Sequence, residues 1–61
     1  MTARERFAVN DRVRVRIRRG YRYSLELGTV RGFSGDGAGV RVQLDGRKSV
    51  STHHVADLER E

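Results

Sequence analysis

Twelve arginines and one lysine supply the 13 basic side chains of this 61-residue sequence, against eight carboxylates, for a formal net charge of +5. The choice of arginine matters. Its planar fork suits phosphate, carboxylate and stacking, whereas lysine is a point charge. The bases are also unevenly placed. Residues 1 to 31 hold nine Arg and three acids, net +6, and residues 32 to 61 hold four bases and five acids, net −1. A half this basic is the footprint of a protein that binds nucleic acid or another polyanion. The competing reading is a solvated face that happens to be rich in arginine.

Two clusters carry the chemistry. Arg12, Arg14, Arg16 and Arg18 alternate with Val13, Val15 and Ile17. On a strand this puts all four arginines on one face, about 6.6–6.8 Å apart. Such a comb suits phosphate tracking. It also suits ion pairing with Glu26, Asp45 or Glu59 on neighbouring strands, which is the expectation for two of the four. The second cluster is Arg18-Arg19-Gly20-Tyr21-Arg22-Tyr23. Single-stranded nucleic acid needs charges for phosphates and ring faces for bases, and this stretch interleaves both. A tyrosine that caps the end of a core and bonds a backbone group is the equal alternative. The expected binding set is Arg14, Arg16, Arg18, Arg19, Tyr21, Arg22 and Tyr23, joined by Arg31. The expected partner is nucleic acid or an acidic protein.

Other chemistry is weakly supported. Gly32, Gly35, Gly37 and Gly39 precede a strand-like stretch, whereas a phosphate-cradling glycine loop opens a helix. His53 and His54 are adjacent, so on a strand they point apart and do not readily share an ion. One is expected to be partly exposed and the other to support the last turn. There is no Cys, so neither disulfides nor thiolate zinc sites can form. No nucleophile, base and acid assemble from the spacing. The chain is therefore expected to be a non-enzyme with no catalytic or metal-ligating residues and no cofactor.

The elements that position these residues follow from alternation and turns. Residues 12 to 18 predict a strand with Val13, Val15 and Ile17 inward. Residues 19 to 24 predict a loop, after which Leu25 and Leu27 re-enter the core. Residues 29 to 33 predict a second strand. Ser34 to Gly39 read as a hairpin connection around Asp36-Gly37, and residues 40 to 44 as a third strand expected to adjoin the first. Asp45-Gly46 predicts another turn. Residues 47 to 52 predict a fourth strand with Val50 inward, residues 53 to 55 a tight or 3₁₀ turn, and residues 56 to 60 a last short strand. A terminal helical turn over residues 54 to 60 is the alternative. Residues 1 to 6 lack periodicity and are expected to form a flexible basic start, with residues 7 to 61 as the domain. The expected core is Val9, Val13, Val15, Ile17, Leu25, Leu27, Val30, Phe33, Val40, Val42, Leu44, Val50, Val55 and Leu58.

Hydrophobic residues are 36% of the chain and charged residues 34%, polar without forcing disorder. No apolar run is long enough for a membrane span or a signal-peptide core. A cytoplasmic protein is expected. A chain this short buries only about 60% of its unfolded surface, so a homo-oligomer or bound partner is expected to help stabilise it.

Five short strands with glycine turns imply an all-β unit, a small five-stranded barrel. The layout resembles the SH3-like barrels. Asn10-Asp11-Arg12-Val13-Arg14-Val15 is similar to the Gly-Asp-x-Val-x-Val start of many such modules. Leu27-Gly28-Thr29-Val30 is similar to the Gly-x-Val of KOW-type barrels. Val42-Gln43-Leu44-Asp45-Gly46 with His54 to Glu59 resembles the end of small bacterial and phage barrel proteins. The resemblance implies the barrel fold over residues 7 to 60 and leaves function open, because this fold hosts many activities. In many of these modules the first loop flanks a peptide groove, and accessory or inhibitory assembly subunits use small barrels to hold a protein partner. A distant resemblance to type II dihydrofolate reductase rests on Phe7, on Asp11 to Arg14, and on Ser49-Val50, Val55-Ala56 and Leu58-Glu59-Arg60. That family lines the pore of a homotetramer with Gln, Ile and Tyr where this chain has Ser51, Thr52 and His53.

Overall fold

The computed structural model describes residues 2–61. Five strands, β1 (Arg12–Arg19), β2 (Arg22–Phe33), β3 (Gly39–Leu44), β4 (Ser51–His54) and β5 (Leu58–Arg60), form one antiparallel sheet in the order β4-β3-β2-β1-β5. A 3₁₀ turn, Val55–Asp57, joins β4 to β5. Among the described residues the sheet is open, with β4 and β5 as its edges.

Those two edges cannot lie far apart. Four strand spacings of about 4.8 Å would separate them by about 19 Å in a flat sheet. The 3₁₀ link advances only about 2 Å per residue, roughly 8 Å from the end of β4 to the start of β5. The sheet must therefore curl until its edges approach, and the concave face becomes the core.

The core is Val13, Val15, Val30, Val40, Val42, Leu44 and Leu58, with Ala3 and Phe7 added from the chain start. Ile17, Phe33 and Val55 are partly buried against it. Gly28 lies between Val13 of β1 and Leu44 of β3. A Cβ there would stand 2.6 Å from Val42 Cγ1 and 2.8 Å from the Gln43 carbonyl oxygen, so only glycine lets the three strands meet this closely.

Several expectations are corrected. Ala3–Arg6 forms a helical turn, Ala3 is buried, and its N–H donates to the Gly37 carbonyl, so the fold starts before residue 7. Met1, the first residue of the expected flexible start, lies outside the described residues. The loop expected at residues 19 to 24 is only the two-residue turn Gly20-Tyr21, with Arg19 paired to Arg22. Gly20 has φ 65°, and a mirror-image hairpin turn takes glycine at its first central position for that reason. β2 is consequently one long strand from Arg22. β1 and β3 are not neighbours, because β2 lies between them. The fourth strand starts at Ser51 rather than residue 47, and the 3₁₀ turn falls at Val55–Asp57, which shortens the last strand to Leu58–Arg60. Val9, Leu25, Leu27 and Val50 are exposed rather than in the core.

Candidate nucleic-acid interface

Register across the β1–β2 hairpin builds the site. Arg12 pairs with Thr29, Arg14 with Leu27, Arg16 with Leu25 and Arg18 with Tyr23. Directly opposed residues share a face. Because Val13 and Val15 point into the core, the arginine comb lies on the convex outer face, and Leu27, Leu25 and Tyr23 lie beside it. Leu25 is 55% exposed and Tyr23 59%. The sequence reading missed the two leucines as surface residues. Their alternation with Ser24 and Glu26 was visible, but alternation says which residues share a face, not which face is inward.

The comb divides in two. Arg12 makes a bidentate pair with Asp45, at 2.8 and 2.6 Å, and also reaches Glu61 at 3.4 Å and the Thr29 hydroxyl at 2.9 Å. The hydrogen bond from Arg12 holds the Asp45 carboxyl below its ordinary range, and in return Asp45 keeps the guanidinium even more firmly protonated. Arg14 pairs with Glu59 at 2.9 Å, directly opposite it on β5. Arg16 and Arg18 have no carboxylate partner among the described residues. Arg16 instead stands over the Tyr23 ring, 5.0 Å from its centroid, a cation–π contact. Arg16, Arg18, Tyr23 and Asp57 line an open groove of about 330 Å³. A smaller hollow continues it past Leu25 and Arg14 to Glu59. Asp57 and Glu59 thus form an acidic wall on the β5 side, and Asp57 was absent from the expected set.

The remaining expected residues separate. Tyr21 is fully exposed at the hairpin tip. Arg19 and Arg22 oppose each other on the face that carries Val15 and Ile17, where Arg19 reaches Glu26 at 3.3 Å and Arg47 reaches the same carboxylate at 3.8 Å. Arg31 lies at a bulge near the far end of β2, roughly 27 Å along the strand from Tyr23. It donates to Gln43 and Asn10 there, away from the groove.

The two histidines have distinct places. His54 Nδ1 accepts the Ala56 N–H and caps the 3₁₀ turn. His53 is half-buried, with Nε2 2.8 Å from Ser51 Oγ. Burial lowers its pKa, while Asp57 and Glu26 pull it partly back up. Among the described residues, no three His, Asp or Glu gather to hold a metal ion, and no helix is long and apolar enough to cross a membrane. No family model, curated protein or solved structure matches the chain.

Proposed function

We propose that the chain is a non-enzymatic SH3-like barrel module that binds nucleic acid on the outer face of its β1–β2 hairpin. The short link between opposite edges of the sheet supports the barrel. The observation that carries the function is the pair Arg16 and Arg18, left without carboxylate partners beside Tyr23 on the same strand whose other arginines are ion-paired. Unpaired guanidinium groups in a groove are ready to replace the counterions of phosphates. Tyr23 and the tip residue Tyr21 supply ring faces for bases, and Arg22 adds charge at the tip. Arg14, already held by Glu59, and Arg19, held by Glu26, are not free for phosphate. Binding of this kind neutralises phosphate and stacks bases with little reading of base edges. A cytoplasmic location fits such a ligand.

An acidic protein would meet the same charges, and the exposed Leu25 and Leu27 would give it apolar contact. Titration of labelled single- and double-stranded oligonucleotides at two salt concentrations separates the two. The proposal expects binding that weakens with salt. Affinity weaker than about 10⁻⁴ M at physiological salt, below ordinary non-specific binding, overturns it in favour of the protein partner.

A further inference from the structure

The groove has a feature that phosphate binding alone does not use. Arg14, Arg16 and Arg18 form one row on β1, and Leu27, Leu25 and Tyr23 form a second row directly opposite on β2. The rows run side by side about 4.8 Å apart, each with a residue every 6.6–6.8 Å. The second row is apolar, exposed and on the convex face, where no core lies to cover it. Resting on the nucleic-acid reading, we infer that the ligand is single-stranded, laid along the hairpin with its phosphates over Arg16 and Arg18 of the β1 row and its bases over Tyr23, Leu25 and Leu27.

A duplex keeps its base faces stacked and offers only groove edges, so it has nothing for the apolar row to meet. A single strand exposes those faces, and they stack on aromatic rings or on guanidinium planes such as that of Arg16 over Tyr23. Asp57, which makes no ion pair among the described residues, repels phosphates from the β5 side and leaves the β2 side as the place for the bases.

The test uses the intact chain, a labelled oligothymidine strand and a duplex of matched charge, at one fixed salt concentration. Tyr23→Thr is expected to weaken single-strand binding about tenfold, from the loss of one stacked base. Leu25→Thr is expected to weaken it about threefold, from lost apolar contact. Both should leave duplex binding within about a factor of two, since a duplex keeps its base faces stacked and is held through phosphates that neither side chain contacts. Thr preserves strand propensity, and Leu25→Met should retain wild-type single-strand affinity because the apolar contact survives. Equal losses on strand and duplex, or no loss on the strand, would overturn the inference while leaving the nucleic-acid reading in place. Failure of the wild-type chain to bind either probe would overturn both.

Discussion

Arg12 and Arg14 start from the same chemistry as Arg16 and Arg18, four residues of one type at one spacing on one strand face. The structure gives them different work, and the difference comes wholly from their neighbours. The turn after β3 brings Asp45 to Arg12, and β5 sets Glu59 opposite Arg14. β5 is only three residues long, so its pairing with β1 stops at Val15 with Leu58. Beyond that point β1 has a strand neighbour on the β2 side alone, which offers Leu25 and Tyr23, and on the other side the 3₁₀ turn places Asp57 along the groove without an ion pair to either arginine. One end of the comb is thus an internal clasp and the other an open surface. A run of arginines in a sequence therefore counts charges without counting the charges free to bind.

The largest effect on this comparison comes from removing what holds both ends. Val15 is buried beneath the comb and is paired with Leu58 of β5. Val15→Ala should cost about 1–3 kcal/mol of stability. For a domain of this size that lowers the melting temperature by roughly 4–8 °C per kcal/mol, measurable by thermal unfolding. A melt unchanged by this substitution would contradict the placement of the comb on the convex face.

The acidic wall gives the next effect, confined to the open end. Asp57→Asn removes a negative charge from the β5 side of the groove, beside Arg16 and Arg18, so nucleic-acid binding should strengthen, most at low salt where screening is least. Unchanged or weakened binding in a fluorescence titration would place the ligand elsewhere.

Acid should act on the clasp instead. Asp45 has a folded pKa lowered by its hydrogen bond from Arg12, beneath an ordinary value near 3.8. The unfolded chain therefore binds this proton first. The stability that Asp45 contributes is complete above about pH 4 and is lost as pH falls through the lowered folded value. Arg12→Gln should make the acid limb of a stability-against-pH curve shallower than in the wild type, while Arg16→Gln leaves it unchanged. The step is small because the pair is exposed to solvent.

The smallest effect belongs to His53. Burial lowers its folded pKa below the ordinary 6.5, so the unfolded chain again takes up the proton first. Stability should slip as pH falls from about 6.5 toward that lowered value, and His53→Gln should remove this component. A curve that rises over the same interval would contradict the half-buried position.

Much of this arrangement was legible in the residues. The alternation of valine with arginine in β1 and β3 identified the strands and five of the seven strand residues that fill the core. The two-for-two division of the comb, with Asp45 and Glu59 as partners, was also within reach of charge pairing. What failed was the hairpin. Once Gly20-Tyr21 is taken as a two-residue turn, the opposed residues follow by counting, Arg18 with Tyr23, Arg16 with Leu25 and Arg14 with Leu27. Reading residues 19 to 24 as a loop lost that register and sent the leucines inward on hydrophobicity alone. Near the mouth of the core the ordinary sign inverts, and Ser24 and Glu26 take the concave side, where Glu26 serves Arg19 and Arg47. The chain start was misread for a related reason. Its helical turn is short and charged, and its burial of Ala3 and Phe7 depends on a contact with Gly37 that no local pattern announces.

On the proposed reading, the free end of the comb binds nucleic acid and the clasped end does not. The salt dependence of single-strand binding separates the two ends when Arg16→Gln/Arg18→Gln is compared with Arg12→Gln/Arg14→Gln. Each phosphate contact contributes about 0.7 to the slope of log affinity against log salt for a single strand. The first double variant should therefore flatten the slope by about 1.4. The second should leave the slope at the wild-type value and lower only the melting temperature. Equal flattening in both variants, or flattening in the second alone, would contradict the division on which the account rests.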